Sequence, residues 1–303
     1  MNDHSNKQSS TPQLSKVRTF LFGVLAFMWF AEMVQWGFLA STGGWQNIWK
    51  DVAPQLTTAL LVTHAIRAAA KGALGVMAVF GLRSKSPTVR TALFISMSLV
   101  PPLNIIFPCR ADGFPLGTTA VAAIFSAILW TSFFLFKEPV GQSGDTVQSP
   151  SSRGETIQYV WFEFNATVLT LAALFFLSAP RAALDFIFPS LSSLLSNYES
   201  GLLSMTSSNL SSGTHLLALA IALWVATIYG RSNPALGQAM TVANIVHAGL
   251  ICLLPLRRVI LEIGGSSATT SILVAFAPLF VGWLLYAAFS YNIEIKERQK
   301  AYI

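Results

Sequence analysis

Residues 56–82 read LTTALLVTHAIRAAAKGALGVMAVFGL, an apolar, Ala-rich run interrupted by three basic side chains, His64, Arg67 and Lys71. A membrane-spanning helix takes about 20 mostly apolar residues to cross a hydrocarbon core about 30 Å thick, and this run is long enough. The strands of an outer-membrane barrel alternate apolar and polar over about 10 residues, which this run does not do. Lipid offers backbone groups no partner, so a segment of this kind must form a helix that bonds internally.

Seven other stretches have the same character, near residues 20–40, 91–108, 117–136, 159–178, 214–228, 234–256 and 269–290, with 214–228 the shortest. Of the 303 residues, 53% are hydrophobic and 11% charged, where a soluble domain carries about 25% charged residues. The chain therefore reads as an all-α polytopic membrane protein with eight transmembrane helices. Its first span reads as uncleaved: a secretory h-region is about 7 to 15 residues long and uncharged, whereas the run from Phe20 to Ala40 is longer and holds Glu32.

The net charge of +6 is explained by its distribution. With eight spans and the N-terminus inside, the inner segments hold twelve cations: Lys7, Lys16, Arg18, Arg83, Lys85, Arg90, Lys137, Arg153, Arg231, Lys296, Arg298 and Lys300. The outer loops hold five, namely Lys50, Arg110, Arg181, Arg257 and Arg258. That asymmetry predicts cytoplasmic termini in a bacterial inner or plasma membrane, and it excludes a nucleic-acid footprint. Cys109 and Cys252 are too few for a disulfide framework or a four-ligand zinc site, and read as independent small apolar side chains.

Residues 137–158, rich in Ser, Gly, Pro and charge, read as a flexible cytoplasmic linker. It separates a polar N-terminus (1–19) and a first four-helix unit (20–136) from a second unit (159–290) and a cytoplasmic tail (291–303). The two units resemble each other. GLRSKSP at 81–87 matches YGRSNP at 229–234, FPCR at 107–110 matches LPLR at 254–257, and GTT at 117–119 matches GSS at 265–267. Pro87 to Pro108 and Pro234 to Pro255 are both 21 residues, and Pro108 to Gly117 and Pro255 to Gly264 are both nine. The spacing predicts a tandem duplication in parallel orientation, because four spans per unit is an even number.

The outer loops differ between the units. Residues 41–55 carry Trp45 and Trp49 at an interfacial position. Residues 179–213 are longer and Ser/Leu-rich, and apolar positions 184, 187, 188, 191, 194 and 195 predict an amphipathic surface helix. Asn209-Leu210-Ser211 matches the N-glycosylation pattern, although a chance match in a Ser-rich loop accounts for it as well.

On a helix turning about 100° per residue, His64, Arg67 and Lys71 lie at about 0°, 300° and 340°, a single stripe. A charge at the bilayer centre costs about 2.5 to 3.5 kcal/mol, so the stripe should face the bundle interior. The first span carries Glu32 and Gln35 at i and i+3, Glu32 about 10 Å below its outer end, and His64 lies about 12 Å below that of the second. Glu32 is expected to pair with Arg67 or His64. Asn244 and His247 share a face of the seventh span, about 13 Å deep. Asn104 follows Pro101-Pro102, a pair that removes two backbone donors and frees carbonyls. His215 borders the same depth. These residues predict a polar cavity in the outer half of the bundle, suited to a small anionic or carboxylate-bearing ligand.

Three functional classes fit. The first is a small-molecule or ion transporter or binding protein using that cavity. The second is a redox protein in which His64 and His247 are axial ligands of a b-type haem and Arg67 or Lys71 meets its propionates, a reading that rests on matched depth alone. The third is an accessory, sensor or assembly protein, alone with the lipid bilayer, with a membrane partner or as a homo-oligomer, whose buried charges fix helix packing. No hydrolase motif of the G-x-S-x-G type occurs.

Overall fold

A computed structural model describes residues 15–42, 54–107, 116–136, 138, 153–187, 199–229, 234–261 and 277–291. Trp45, Trp49, Cys109, the amphipathic positions 188–195 and residues 1–14, 139–152 and 292–303 lie outside them. The described residues form ten helices and no strand. They are α1 (Lys16–Thr42), α2 (Pro54–Arg83), α3 (Pro87–Ser98), α4 (Val100–Ile106), α5 (Leu116–Leu135), α6 (Arg153–Ser178), α7 (Pro180–Ile187), α8 (Glu199–Tyr229), α9 (Pro234–Leu261) and α10 (Ala277–Tyr291).

Among the described residues, six segments are long and apolar enough to cross a membrane: Lys16–Phe38, Thr63–Arg83, Pro87–Ile106, Thr156–Ser178, Asn209–Tyr229 and Ala235–Leu254. The two remaining expected spans appear as shorter apolar helices, Thr119–Leu135 and Ala277–Tyr291. The distribution of side chains is that of a membrane protein. Phe20, Phe27, Val34 and Phe38 point outward from α1, Phe27 with 78% of its surface exposed, while Arg18, Lys71, Arg90 and Glu138 are buried. A water-soluble protein would sort these groups the other way.

The span expected over 91–108 is broken at Leu99, between α3 and α4. Pro101 and Pro102 have no N–H to donate one turn back, to Met97 and Ser98. The Ser98 carbonyl, which Pro102 leaves open, instead accepts from Trp130 Nε1 of α5 at 3.1 Å. That bond replaces what the proline removed and ties α5 to the break.

The Ser-rich segment 199–213, expected in an outer loop, is the first half of α8. Small residues there allow close approach: a Cβ on Gly213 would lie 2.9 Å from the Leu177 side chain of α6, and such residues mark helix interfaces in membranes. Asn209 is 2% exposed and donates to the Pro180 carbonyl at 3.4 Å, so it is a packing residue and not a surface glycan acceptor. Of the expected surface helix only α7 falls among the described residues, with Ala183 packed near Ala173, Phe176 and Leu216.

α2 and α8 occupy the centre. α1 packs on α2 as α6 packs on α8; α2 also packs on α9, α8 packs on α3 and α4, and α2 and α8 touch each other. Gly72 shows how tight the centre is, since a Cβ there would lie 2.9 Å from both Met33 of α1 and Leu250 of α9.

The end of the bundle where α1 begins is fastened by a buried ion cluster. Arg90 Nε donates to both carboxylate oxygens of Glu138 at 3.0 Å, Nη1 to the Gly81 carbonyl at 3.0 Å, and Nη2 to Thr19 Oγ1 at 3.0 Å. Arg18 donates to Thr91 Oγ1 at 3.0 Å and to the Phe133 carbonyl at 3.2 Å, and stands 3.8 Å from Glu138. The Ser15 amide caps the same carboxylate at 3.1 Å. Phe22, Phe94 and Phe133 cover the two guanidinium groups. Thus Glu138, assigned by composition to a flexible linker, is an anchor, and α6 starts at Arg153, inside that same stretch. Breaking a buried pair by removing one partner typically costs about 3 to 5 kcal/mol. Glu138→Ala is expected to lower stability by about that much in a denaturant titration of the detergent-solubilised protein; a loss under about 1 kcal/mol would show that the two arginines do not depend on it.

Candidate functional site, a cation and tryptophan layer between α1 and α2

The register of α1 against α2 follows from their antiparallel packing. Phe22 lies against Gly81, Glu32 pairs with Lys71, and the Arg67 guanidinium lies over the Trp36 ring at 4.0 Å. In each pair the two residue numbers add to the same total, as a regular antiparallel pair requires. Glu32 therefore bonds Lys71 Nζ, not Arg67 or His64 as expected. Depths counted from the helix ends do not set the register: α1 ends at Thr42 and α2 begins at Pro54, which by count would still put His64 level with Glu32, whereas the side-chain packing of Phe22 on Gly81 sets Lys71 there.

Arg67 is held by Trp36 instead, and the same ring lies 4.7 Å from the His64 ring at 34° between planes. Two turns along α1, Trp29 repeats the arrangement, with Lys71 Nζ 4.9 Å and the His215 ring of α8 5.3 Å from its centroid. His215 is within electrostatic reach of both Lys71 and Arg67. A cation over a tryptophan face gains about 0.5 to 2 kcal/mol, more where water is excluded. Two indoles from one face of α1 thus hold two cations from one face of α2.

The structure brings Glu32, His64, Arg67 and Lys71 together, as the stripe predicted. Gln35 is exposed on α1, outside the layer. Asn104 joins through α8: Thr214 Oγ1 donates to Asn104 Oδ1 at 2.7 Å, and Thr214 precedes His215. Asn244 and His247 are both buried on α9. Asn244 Nδ2 is spent on the Met240 carbonyl of its own helix at 2.8 Å, while His247 Nε2 has no partner among the described residues. Sequence reasoning passed over Trp29 and Trp36, although both share a helical face with Glu32 at i−3 and i+4.

Three nitrogens of the layer itself are buried and unpartnered among the described residues: Arg67 Nε, Trp29 Nε1 and His215 Nε2. His215 Nδ1 bonds the Ser211 carbonyl. A carbonyl only accepts, so Nδ1 carries the proton and a neutral His215 keeps Nε2 as an acceptor. The layer therefore holds two unpartnered donors and, with neutral His215, one unpartnered acceptor among the described residues. No three His, Cys, Asp or Glu side chains among the described residues come together as a metal-ligand set.

No family model, no curated protein and no solved structure matches this chain. What the layer does must be argued from its chemistry. Removing one partner of Glu32–Lys71 leaves a charge in the bundle, whereas removing both leaves an apolar contact. Glu32→Leu with Lys71→Met is accordingly expected to unfold at a higher temperature than Glu32→Leu alone. Equal melting of the single and double variants would mean that the pair is hydrated.

Proposed function

We propose that this is a multi-pass membrane protein of eight spans that binds a small carboxylate-bearing anion at the layer between α1 and α2, as a transporter or a binding protein. The carrying observation is Arg67. It sits on the central helix α2 against Trp36, with no acidic partner among the described residues, while the neighbouring Lys71 is neutralised by Glu32. A cation kept in an apolar bundle at a cost of a few kcal/mol, with donors left open beside it, is what an anion site needs.

The packing supports the span count and the repeat. Glu138, just after α5, meets the start of α1, the end of α2 and the start of α3, so α5 must return the chain across the bundle. Each unit pairs its first helix with its second, and its second helix packs on the third helix of the other unit, as a duplication would arrange them. Arg83 and Arg231 stand 148 positions apart, and the same offset carries Arg67 onto His215 and Lys71 onto Leu219. The repeat therefore supports one charged layer per chain. The excess of cations in the segments flanking the spans favours cytoplasmic termini and a bacterial inner or plasma membrane.

The competing reading is an accessory protein whose buried charges only fasten helices, and the Glu138 cluster is a feature of that kind. Native mass spectrometry of the detergent-purified protein separates the two. Wild-type protein is expected to retain a non-lipid anionic mass that Arg67→Met loses. A bare polypeptide mass, with no thermal stabilisation by a panel of small carboxylates, would leave the layer as a packing device. A retained haem would replace the anion reading with the redox one.

A further inference from the structure

Resting on the anion-site reading, and adding how that site is regulated, we propose that Glu32 is an internal stand-in for the ligand. It holds the carboxylate place on Lys71 and yields it only when protonated, so that the anion is taken up together with a proton.

The place for a carboxylate is marked by Glu32 itself, whose side chain accepts from Lys71 Nζ. The two partners differ in freedom. The Lys71 side chain is 3% exposed and the Glu32 side chain 32%, so Glu32 has an open side to turn to and Lys71 has none. The Trp29 ring, 4.9 Å from Lys71 Nζ, holds the ammonium in position when the carboxylate leaves. Arg67 stands one turn from Lys71 on the same face of α2, so the vacated position is flanked by two cations, both resting on indoles.

A proton decides whether Glu32 leaves. The outward face of α1 consists of Phe27, Ala31, Val34, Gln35 and Phe38, apolar except for Gln35. A charged carboxylate turned toward it would exchange a cation for lipid, which a bilayer tolerates poorly, whereas a protonated one is neutral. An anion reaching Lys71 while Glu32 stays ionised would set two negative charges on one ammonium. When a proton from water goes to Glu32, the incoming anion replaces the negative charge that is lost, and the net charge of the layer does not change. The other ionisable groups on the helices around Glu32 are His64 and Arg67 of α2, His215 of α8 against Trp29, and the buried His247 and Cys252 of α9. The Leu116–Leu135 helix, α5, carries none. Among these groups only Glu32 is a carboxylate.

The test is calorimetric binding of propionate to the purified protein in detergent, over a range of pH and in buffers of different ionisation enthalpy. Wild type is expected to take up about one proton per propionate where the two are coupled, and its affinity to fall by up to about tenfold per unit as pH rises. Infrared difference spectra should gain the carbonyl band of a protonated carboxyl group on binding, unmoved when the propionate carries a ¹³C carboxyl. Glu32→Gln should bind propionate more tightly than wild type at high pH, with no proton uptake. Binding without proton uptake, or uptake that survives in Glu32→Gln and so belongs to a histidine, overturns the proposal while the anion site stands. If propionate binds at no pH, both fall. Where Glu32→Gln fails to fold, the wild-type infrared band decides, because a histidine taking the proton gives no such band.

Discussion

Lipid supplies no hydrogen bonds, so every polar group that this chain places inside its bundle must be matched by the chain itself or by something the chain binds. The two buried charge clusters meet that constraint to different extents. Around Glu138 the matching is nearly complete, with Arg18 Nε the one buried nitrogen of the two arginines that has no partner among the described residues. Arg90 spends donors on a carboxylate, a carbonyl and a hydroxyl, and aromatic rings seal the outside. Between α1 and α2 the matching stops short: one cation is neutralised, the next only rests on an indole, and three ring or guanidinium nitrogens are left over. The first pattern is what fastening helices requires. The second costs stability unless a ligand completes it.

Much of the fold was legible because a membrane helix declares itself by apolar length, and that signal needs no partner. The Pro101-Pro102 break was legible for a similar reason, since a missing N–H is a covalent fact. Helix extents were less legible where polarity and packing pull apart. Residues 199–213 look like a loop because serine and asparagine clusters usually are loops. In a bundle, however, the same small side chains let helices approach, and Gly213 lies against α6. Arg18 and Arg90 were misjudged in the same way. Counted as charges they look like topology signals, and only the positions of Glu138, Thr19 and Thr91 make them parts of a cluster.

At the site, the stripe on α2 was legible because His64, Arg67 and Lys71 repeat at helical spacing. Their partners were not, because the register between two helices depends on where the intervening turn begins, and a shift of one turn changes every pair. On sequence grounds Glu32 was expected to face Arg67 or His64. The close fit of Phe22 against Gly81 and of Met33 against Gly72 fixes the register and selects Lys71. Trp36 is then left opposite Arg67, and the cation keeps its charge uncompensated.

That residue of charge bears on why only one half of the chain carries the layer. If the halves descend from one unit, α2 and α8 are equivalent helices, and they touch each other at the centre of the bundle. Equivalent positions on two touching central helices come close together, so an arginine at both would set two like charges side by side in a medium that screens them poorly. At 148 positions after Arg67, α8 has His215, which places its Nδ1 on the Ser211 carbonyl and lies against Trp29 of α1. At the position equivalent to Lys71 it has Leu219, fully buried among apolar side chains. Beside the stripe of α2, α8 thus presents an imidazole and an apolar wall where further cations would have brought repulsion.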